Sequence, residues 1–315
     1  MDERVAGLTA AAVKAKAREL GAALVGIADG EEMERHPPES AGGRRPSQVS
    51  ELDHRRIVVL ALPLPGGATR LGGWEQRHKM YNDELSHTAL EEVALDLVYW
   101  LEAEGAPALV VSPSLIDARD ATTDPTGPLL PLLSLDHAGV LAGLGTLGLA
   151  GQLVTAEYGP RVMLMGVMTS ADVEADQPLQ AALCQGPECG RCLTTCPADA
   201  VAGWGRDEAA CDPLRHPNAF PQVAGFLERF ANEDDKDKRK NMLRSEESFF
   251  HYQGLLRGVG VISGCRMCLD VCPVGADEIA ELAAPTPAQK ERLAIIAAAG
   301  VPEQSRRWVA RVADG

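Results

Sequence analysis

No cysteine precedes Cys184 in this chain of 315 residues, and all eight lie between Cys184 and Cys272. Such confinement argues against a disulfide framework, which belongs to short secreted chains. Aromatic residues make up only 4%, so packing must rely on Ala, Gly and aliphatic side chains. No apolar run approaches the length of a membrane span. The start, Met1-Asp2-Glu3-Arg4, leads into a helical pattern rather than the apolar core of a signal segment. Arg44-Arg45 is a twin arginine, but it lies far from the start and has no apolar stretch behind it. Basic charge is scarce too. Lys and Arg total 30 against 45 Asp and Glu, for a net charge of −15. An acidic surface repels phosphate backbones, which counts against a tRNA or DNA substrate. A cytoplasmic protein with reduced thiols is expected.

What is present is a cysteine pattern. The first group reads Cys184-x4-Cys189-x2-Cys192-x3-Cys196-Pro197, the second Cys265-x2-Cys268-x3-Cys272-Pro273, and Cys211 stands between them. A cubane cluster needs four thiolates, and in two-cluster ferredoxins the last cysteine of each Cys-Pro run ligates the other cluster. The expected sets are Cys184, Cys189, Cys192 and Cys272 for one [4Fe–4S] cluster, and Cys196, Cys211, Cys265 and Cys268 for the other. Zinc is the rival, since Cys-x2-Cys is also zinc spacing. Zinc asks for neither Cys-x3-Cys-Pro ending, nor for the small residues Ala198 and Gly275 that follow them. The x4 spacing after Cys184 is the one departure from the ferredoxin run.

The length favours two domains. Residues 8–20 have helical periodicity and stop at Gly21, and Ala22–Ala28 is a buried strand. Ile57–Leu62, Ala108–Val111 and Val162–Met168 are further strands. A long helix is expected from Trp74 to Glu104, with Leu85, Ala89, Val93, Leu97 and Leu101 on its apolar stripe. Leu115 to Pro131 is a loop and Ser134–Leu141 a short helix. This order argues for an α/β layer. Boundaries are expected at 1–175 for the α/β domain and 176–282 for the cysteine domain, with a helical insertion at 212–264. Residues 283–315 form a helical tail ending in a basic surface helix with Arg306, Arg307 and Arg311.

Before the fourth strand stands Gly143-Leu144-Gly145-Thr146-Leu147-Gly148, after the helix carrying Asp136 and His137. Glycines let a backbone turn tightly and approach a ligand. A dinucleotide fingerprint fits poorly, because no strand leads into the glycines and no long helix follows.

The run "HAGVLAGLGTLGLAGQLVTAEYGPRVMLMGVMT", the opening "AKARELGAALVGIAD" and the later "GVGVISGCRMCLDVCPVGAD" resemble the cobalamin-dependent iron–sulfur reductases, the epoxyqueuosine reductases and reductive dehalogenases. The resemblance covers roughly residues 10 to 280. It implies a nitroreductase-like α/β/α domain followed by a ferredoxin-like domain with two [4Fe–4S] clusters. It implies base-off cobalamin, approached by Gly143, Gly145 and Gly148, with Arg161 orienting an anionic group. Electrons would pass from the clusters to cobalt and on to a small or medium organic substrate. A ferredoxin, flavodoxin or reductase would supply them. Tyr158, Tyr81, Asp136 and His137 are the candidates for protonating the product.

Three departures qualify the resemblance. The acidic residue of the epoxyqueuosine reductases falls near Leu129, in Gly127-Pro128-Leu129-Leu130, where no carboxylate stands. Leu149 replaces a basic residue after the third glycine, and the long helical-repeat extension after the last cysteine is absent. The alternatives are a ferredoxin-like electron-transfer protein without a corrinoid and, less favoured, a tRNA epoxyqueuosine reductase proper.

Overall fold

Thr9 starts the first helix by accepting the Ala12 N–H at 3.1 Å, and Gly21, at φ +121°, ends it. This helix, α1 (Ala10–Leu20), leads into β1 (Leu24–Asp29), α2 (Gly30–Arg35) and β2 (Arg56–Pro63). Next come α3 (Gly66–Thr69), the long α4 (Gln76–Ala103) and β3 (Ala108–Val111). α5 (Leu135–Leu141), the strands β4 (Gly145–Leu147) and β5 (Leu153–Thr155), and β6 (Val162–Thr169) follow. The computed structural model describes residues 7–71, 76–116, 123, 129–277 and 282–309. Residues 72–75 and most of the expected 115–131 loop lie outside that set.

Four strands form one sheet in the order β1-β2-β6-β3, with every pair antiparallel. The fold is α/β. Alternate residues of β2 enter two separate cores: Val58 and Leu60 join Val13, Ala17, Leu90, Ala94 and Leu97 under α1 and α4. Ile57, Val59 and Ala61 join Leu135, Leu147, Leu153 and Leu164 on the opposite face. Burial on both faces explains why the strands read as continuous apolar runs although the sheet is antiparallel.

Two expectations need correction. The expected stripe of α4 holds only in its later half: Leu97 and Leu101 are buried, but Leu85 is 48% exposed and Leu90 and Ala94 are buried instead of Ala89. Toward its start that stripe turns polar, with Lys79, Asp83 and His87 all buried. Apolar periodicity cannot register a helix face that buries charge.

The second correction concerns the tail. Beyond the sheet lie α6 (Arg191–Thr195), α7 (Glu208–Arg215), α8 (Phe220–Asn232), α9 (Lys236–Leu243) and α10 (Glu246–Arg257). Then come α11 (Met267–Asp270), α12 (Pro287–Ala299) and α13 (Glu303–Val309). α13 is no surface helix: Trp308 and Val309 are buried in the same core as Leu147 and Leu153, and Trp308 meets the His137 ring edge-on at 4.8 Å. Arg311 lies outside the described residues.

A buried charge network joins α4 to the segment carrying the second cysteine group. Arg266 pairs with Asp83 and, at 3.2 Å, with Asp270, and Lys79 pairs with Asp270 at 2.7 Å. Ser263 donates to Asp83 at 2.6 Å. Two cations and two carboxylates balance within it. Burial pushes the Asp83 carboxyl up, against the opposing pull of Arg266 and Ser263.

Candidate cofactor and substrate site

The thiols fall into two electrostatic groups. Burial raises the Cys192 thiol, and the thiols of Cys268, Cys184, Cys189 and Cys272 raise it further. Burial also raises Cys272, and Cys184 and Cys189 add to that rise. Cys268 is pushed up to about 11, by burial first, with contributions from Cys211 and Cys265. Cys265 is raised by burial and then by Cys196. These effects link Cys184, Cys189, Cys192 and Cys272, and link Cys196, Cys211, Cys265 and Cys268, but the strongest thiol effect on Cys192 comes from Cys268, so the two groups adjoin.

Each group is also furnished with amide donors aimed at sulfur. The Leu149 and Gly186 N–H groups lie 3.4 and 3.3 Å from Cys184 Sγ, and the Ala200 N–H lies 3.3 Å from Cys196 Sγ. The Met267 and Val274 amides stabilise the thiolates of Cys265 and Cys272. Charge-assisted N–H···S bonds suit thiolates ligating a metal group. Among the described residues, no three His, Cys, Asp or Glu side chains converge as a site for one metal ion.

The glycine run serves the protein's own chain. β4 and β5 pair as a hairpin closed by the Gly148 N–H to the Gln152 carbonyl at 2.8 Å. A Cβ on Gly145 would sit 2.1 Å from the Val154 carbonyl oxygen, and one on Gly143 would sit 2.6 Å from that of Gln177. A Cβ on Gly148 would meet Val154 Cγ2 at 2.8 Å and Cys184 Sγ at 3.9 Å. These close approaches are to backbone and to the cysteine loop. Arg161 is likewise engaged: it donates to the carbonyls of Leu269, Cys272 and Val274 at 3.1, 2.8 and 2.6 Å. It clamps the second Cys-Pro turn. All four residues named for a corrinoid are in contact with the protein's own chain.

A cavity of ≈ 330 Å³ opens instead between the sheet, α5 and the second cysteine group. Its wall includes Cys211, Cys265 and Cys268, together with Asp136, His137, Arg206 and His216. That volume lies in the range of small-ligand pockets. Tyr81, 41% exposed on α4, and Tyr158, in the turn after β5, are not part of the wall. Asp136 accepts the Leu153 N–H at 2.7 Å and so braces the hairpin. His137 is bonded to Ser134 at 2.7 Å, and burial lowers it to about 4, against the pull of Asp136. It is neutral near neutral pH.

Two features near the cavity escaped the sequence. Behind its wall, Asp212 of α7 accepts the Leu129 N–H at 2.6 Å. Its other oxygen lies 3.0 Å from His216 Nδ1, which orients the His216 ring from behind. Burial opposes the Asp212 charge, yet hydrogen bonds from His216 and Leu129 hold its carboxyl low. The Asp212-x3-His216 helical spacing was the available signal, but nothing in the sequence tied it to Leu129. Arg206 was equally silent; it pairs with Glu208 at 3.2 Å beside the cavity.

No family model matches the chain. Its sequence is 29% identical over 218 residues to an epoxyqueuosine reductase of Gloeobacter violaceus, an alignment covering 61% of each protein. It is 28% identical over 210 residues to that of Lactococcus garvieae, covering 66% of this chain and 44% of the relative. The alignments thus span less than two thirds of these relatives. An epoxyqueuosine reductase solved with a modified tRNA-Tyr stem loop aligns at 17% identity and TM-score 0.49, over 89% of this chain and 68% of that one. A reductive dehalogenase described as B12-dependent aligns at 17% identity and TM-score 0.49, over 82% and 37%. The chain is thus similar in sequence to part of the epoxyqueuosine reductases.

Proposed function

We propose that this chain is an iron–sulfur oxidoreductase. Cys184, Cys189, Cys192 and Cys272 hold one [4Fe–4S] cluster, and Cys196, Cys211, Cys265 and Cys268 hold the other. Electrons from an external donor cross both clusters and leave through the cavity walled by Cys211, Cys265 and Cys268. The observation that carries this is the pair of Cys-x2-Cys-x3-Cys-Pro runs, with backbone N–H groups at 3.3–3.4 Å from the sulfurs of Cys184 and Cys196. Paired runs of this kind cross-ligate in two-cluster ferredoxins.

The acceptor is a small or medium organic molecule, reduced directly or through cobalamin, which in the resembling family supplies low-valent cobalt. The alternative is an electron-transfer protein without a corrinoid. A net charge of −15 weighs against a tRNA substrate. As part of this proposal the α/β domain spans 1–175 and the cysteine domain 176–282, and the tail 283–309 returns Trp308 to the α/β core.

Anaerobic reconstitution with iron and sulfide tests the clusters. About eight irons per chain are expected, and Cys272→Ser should remove one cluster and disturb its neighbour. Uptake of two zinc ions and no iron would overturn the proposal. Titrating the loaded protein with hydroxocobalamin, read by absorbance and thermal stability, decides between the acceptors, because a ligand stabilises the state that binds it.

A further inference from the structure

Arg206 is a cation enclosed beside the second cysteine group. It ends the turn closed by the Val201–Arg206 bridge, its side chain is 8% exposed, and it walls the cavity together with Cys211 and Cys268. Its Nε and Nη2 both lie 3.2 Å from one oxygen of Glu208. Nη1 is directed to the Ala150 carbonyl at 3.4 Å. Burial opposes the charge, yet Glu208, Asp136 and the thiols of Cys268 and Cys211 hold Arg206 ionised.

The Gln152 side-chain amide links this cation to sulfur. One of its two terminal atoms lies 3.0 Å from Cys268 Sγ and 3.0 Å from Arg206 Nη1. As oxygen, that atom accepts from Nη1 while the amide nitrogen meets the Ala150 carbonyl at 3.0 Å. As nitrogen, it donates to the sulfur. A free thiol can donate to the oxygen, whereas a ligating thiolate has no proton and takes the N–H. Both orientations leave the guanidinium one amide atom away from Sγ. Its charge is felt there: burial pushes the Cys268 and Cys211 thiols up, and Arg206 is the strongest charge pulling each back down. Glu208 counters it at Cys211, but less strongly. Water screens a charge in so enclosed a place only weakly.

We propose that Arg206 is the internal counter-ion of the cluster held by Cys196, Cys211, Cys265 and Cys268, and raises the reduction potential of that cluster. This rests on the cluster assignment above. One-electron reduction from [4Fe–4S]2+ to [4Fe–4S]1+ adds negative charge, and a fixed cation close to a ligating sulfur stabilises the reduced form more than the oxidised one. The electron comes from the external donor, and no proton is transferred. The effect is to hold the electron on the cluster whose ligands Cys211, Cys265 and Cys268 wall the cavity, where the acceptor is met.

The test compares wild type with Arg206→Gln, which is neutral, and Arg206→Lys, which keeps the charge. All are reconstituted anaerobically, assayed for iron and sulfide, and titrated with redox mediators under electron paramagnetic resonance. Cys211→Ser identifies the signal of the cluster concerned by altering it. We expect the potential of that signal to move to more negative values in Arg206→Gln and to stay near wild type in Arg206→Lys, with the other cluster moving less. Glu208→Gln leaves Arg206 in place and removes the carboxylate that offsets it. The same potential should then move to more positive values, a readout that does not depend on the Arg206 variants folding. A loaded Arg206→Gln with no shift, an Arg206→Lys shifted as far as Arg206→Gln, an equal shift of both clusters, or an unmoved potential in Glu208→Gln would each overturn the counter-ion while leaving the clusters standing. Failure of wild type to take up iron would instead overturn the cluster assignment itself.

Discussion

His137 illustrates how a single side chain makes stability depend on pH. Burial lowers its imidazole to about 4, from near 6.5 in an unfolded chain. Above pH 6.5 it is neutral in both states and contributes nothing to the balance. As pH falls below 6.5 the unfolded chain takes up a proton that the folded protein refuses until about 4, so stability declines across that window. His137→Gln retains a hydrogen-bonding group for Ser134 and cannot charge. It should lose less stability between pH 7 and 5 than wild type, measured by urea unfolding midpoints. A residual slope should persist, since burial also lowers His87, His216 and His251. Equal losses in both proteins would contradict this. At this scale the sequence was a partial guide. Asp136 and His137 were singled out and do line the cavity, whereas Asp212 and His216 were not, because their partner Leu129 is remote in the chain.

At the scale of elements, the main strands were legible because apolar runs bounded by Gly and Pro are a local signal. The β4–β5 hairpin was not, since two three-residue strands joined through Gly148 and Gly151 look like a loop. Its packing makes a definite prediction. Gly145→Val would drive a side chain into the Val154 carbonyl, so we expect a sharp drop in soluble yield. Iron content should fall as well, because the adjoining Leu149 N–H faces Cys184. Cobalamin in the medium should rescue neither. A soluble, iron-loaded variant that lacks only cobalamin binding would restore these glycines to a cofactor role. The tail supplies a second test. Trp308→Ala should cost about 3–5 kcal/mol in chemical denaturation, as large-to-small core changes do. A side chain on a surface helix would cost within about 0.5 kcal/mol. The tail looked peripheral because its Ala-rich sequence has no stripe. The lone tryptophan was the overlooked clue.

Across the whole molecule, the two halves are tied by charge as much as by apolar contact. Asp83→Ala would leave Arg266 buried beside a lost partner, at a cost of about 3–5 kcal/mol. Urea unfolding followed separately by tryptophan fluorescence and by cluster absorbance should show both transitions moving to lower denaturant. Movement of the cluster transition alone would mean that the network supports only the cysteine half. Sequence periodicity could not foresee this seam, because Lys79, Asp83 and Arg266 read as ordinary surface charges until tertiary structure brings them together. The order of the sheet has a consequence for biogenesis. Its central pair, β2 with β6, spans a long stretch of chain, and such non-local pairings close slowly. Yet β6 ends at Thr169, before the first cysteine at Cys184. During synthesis the whole sheet can therefore leave the ribosome before any thiol does. On the proposed ligand sets, each cluster must wait for a cysteine from the second run. Iron delivery then comes after the sheet has been made, onto a scaffold that already presents Arg161 to receive the second Cys-Pro turn, and maturation should stall there in cells short of iron.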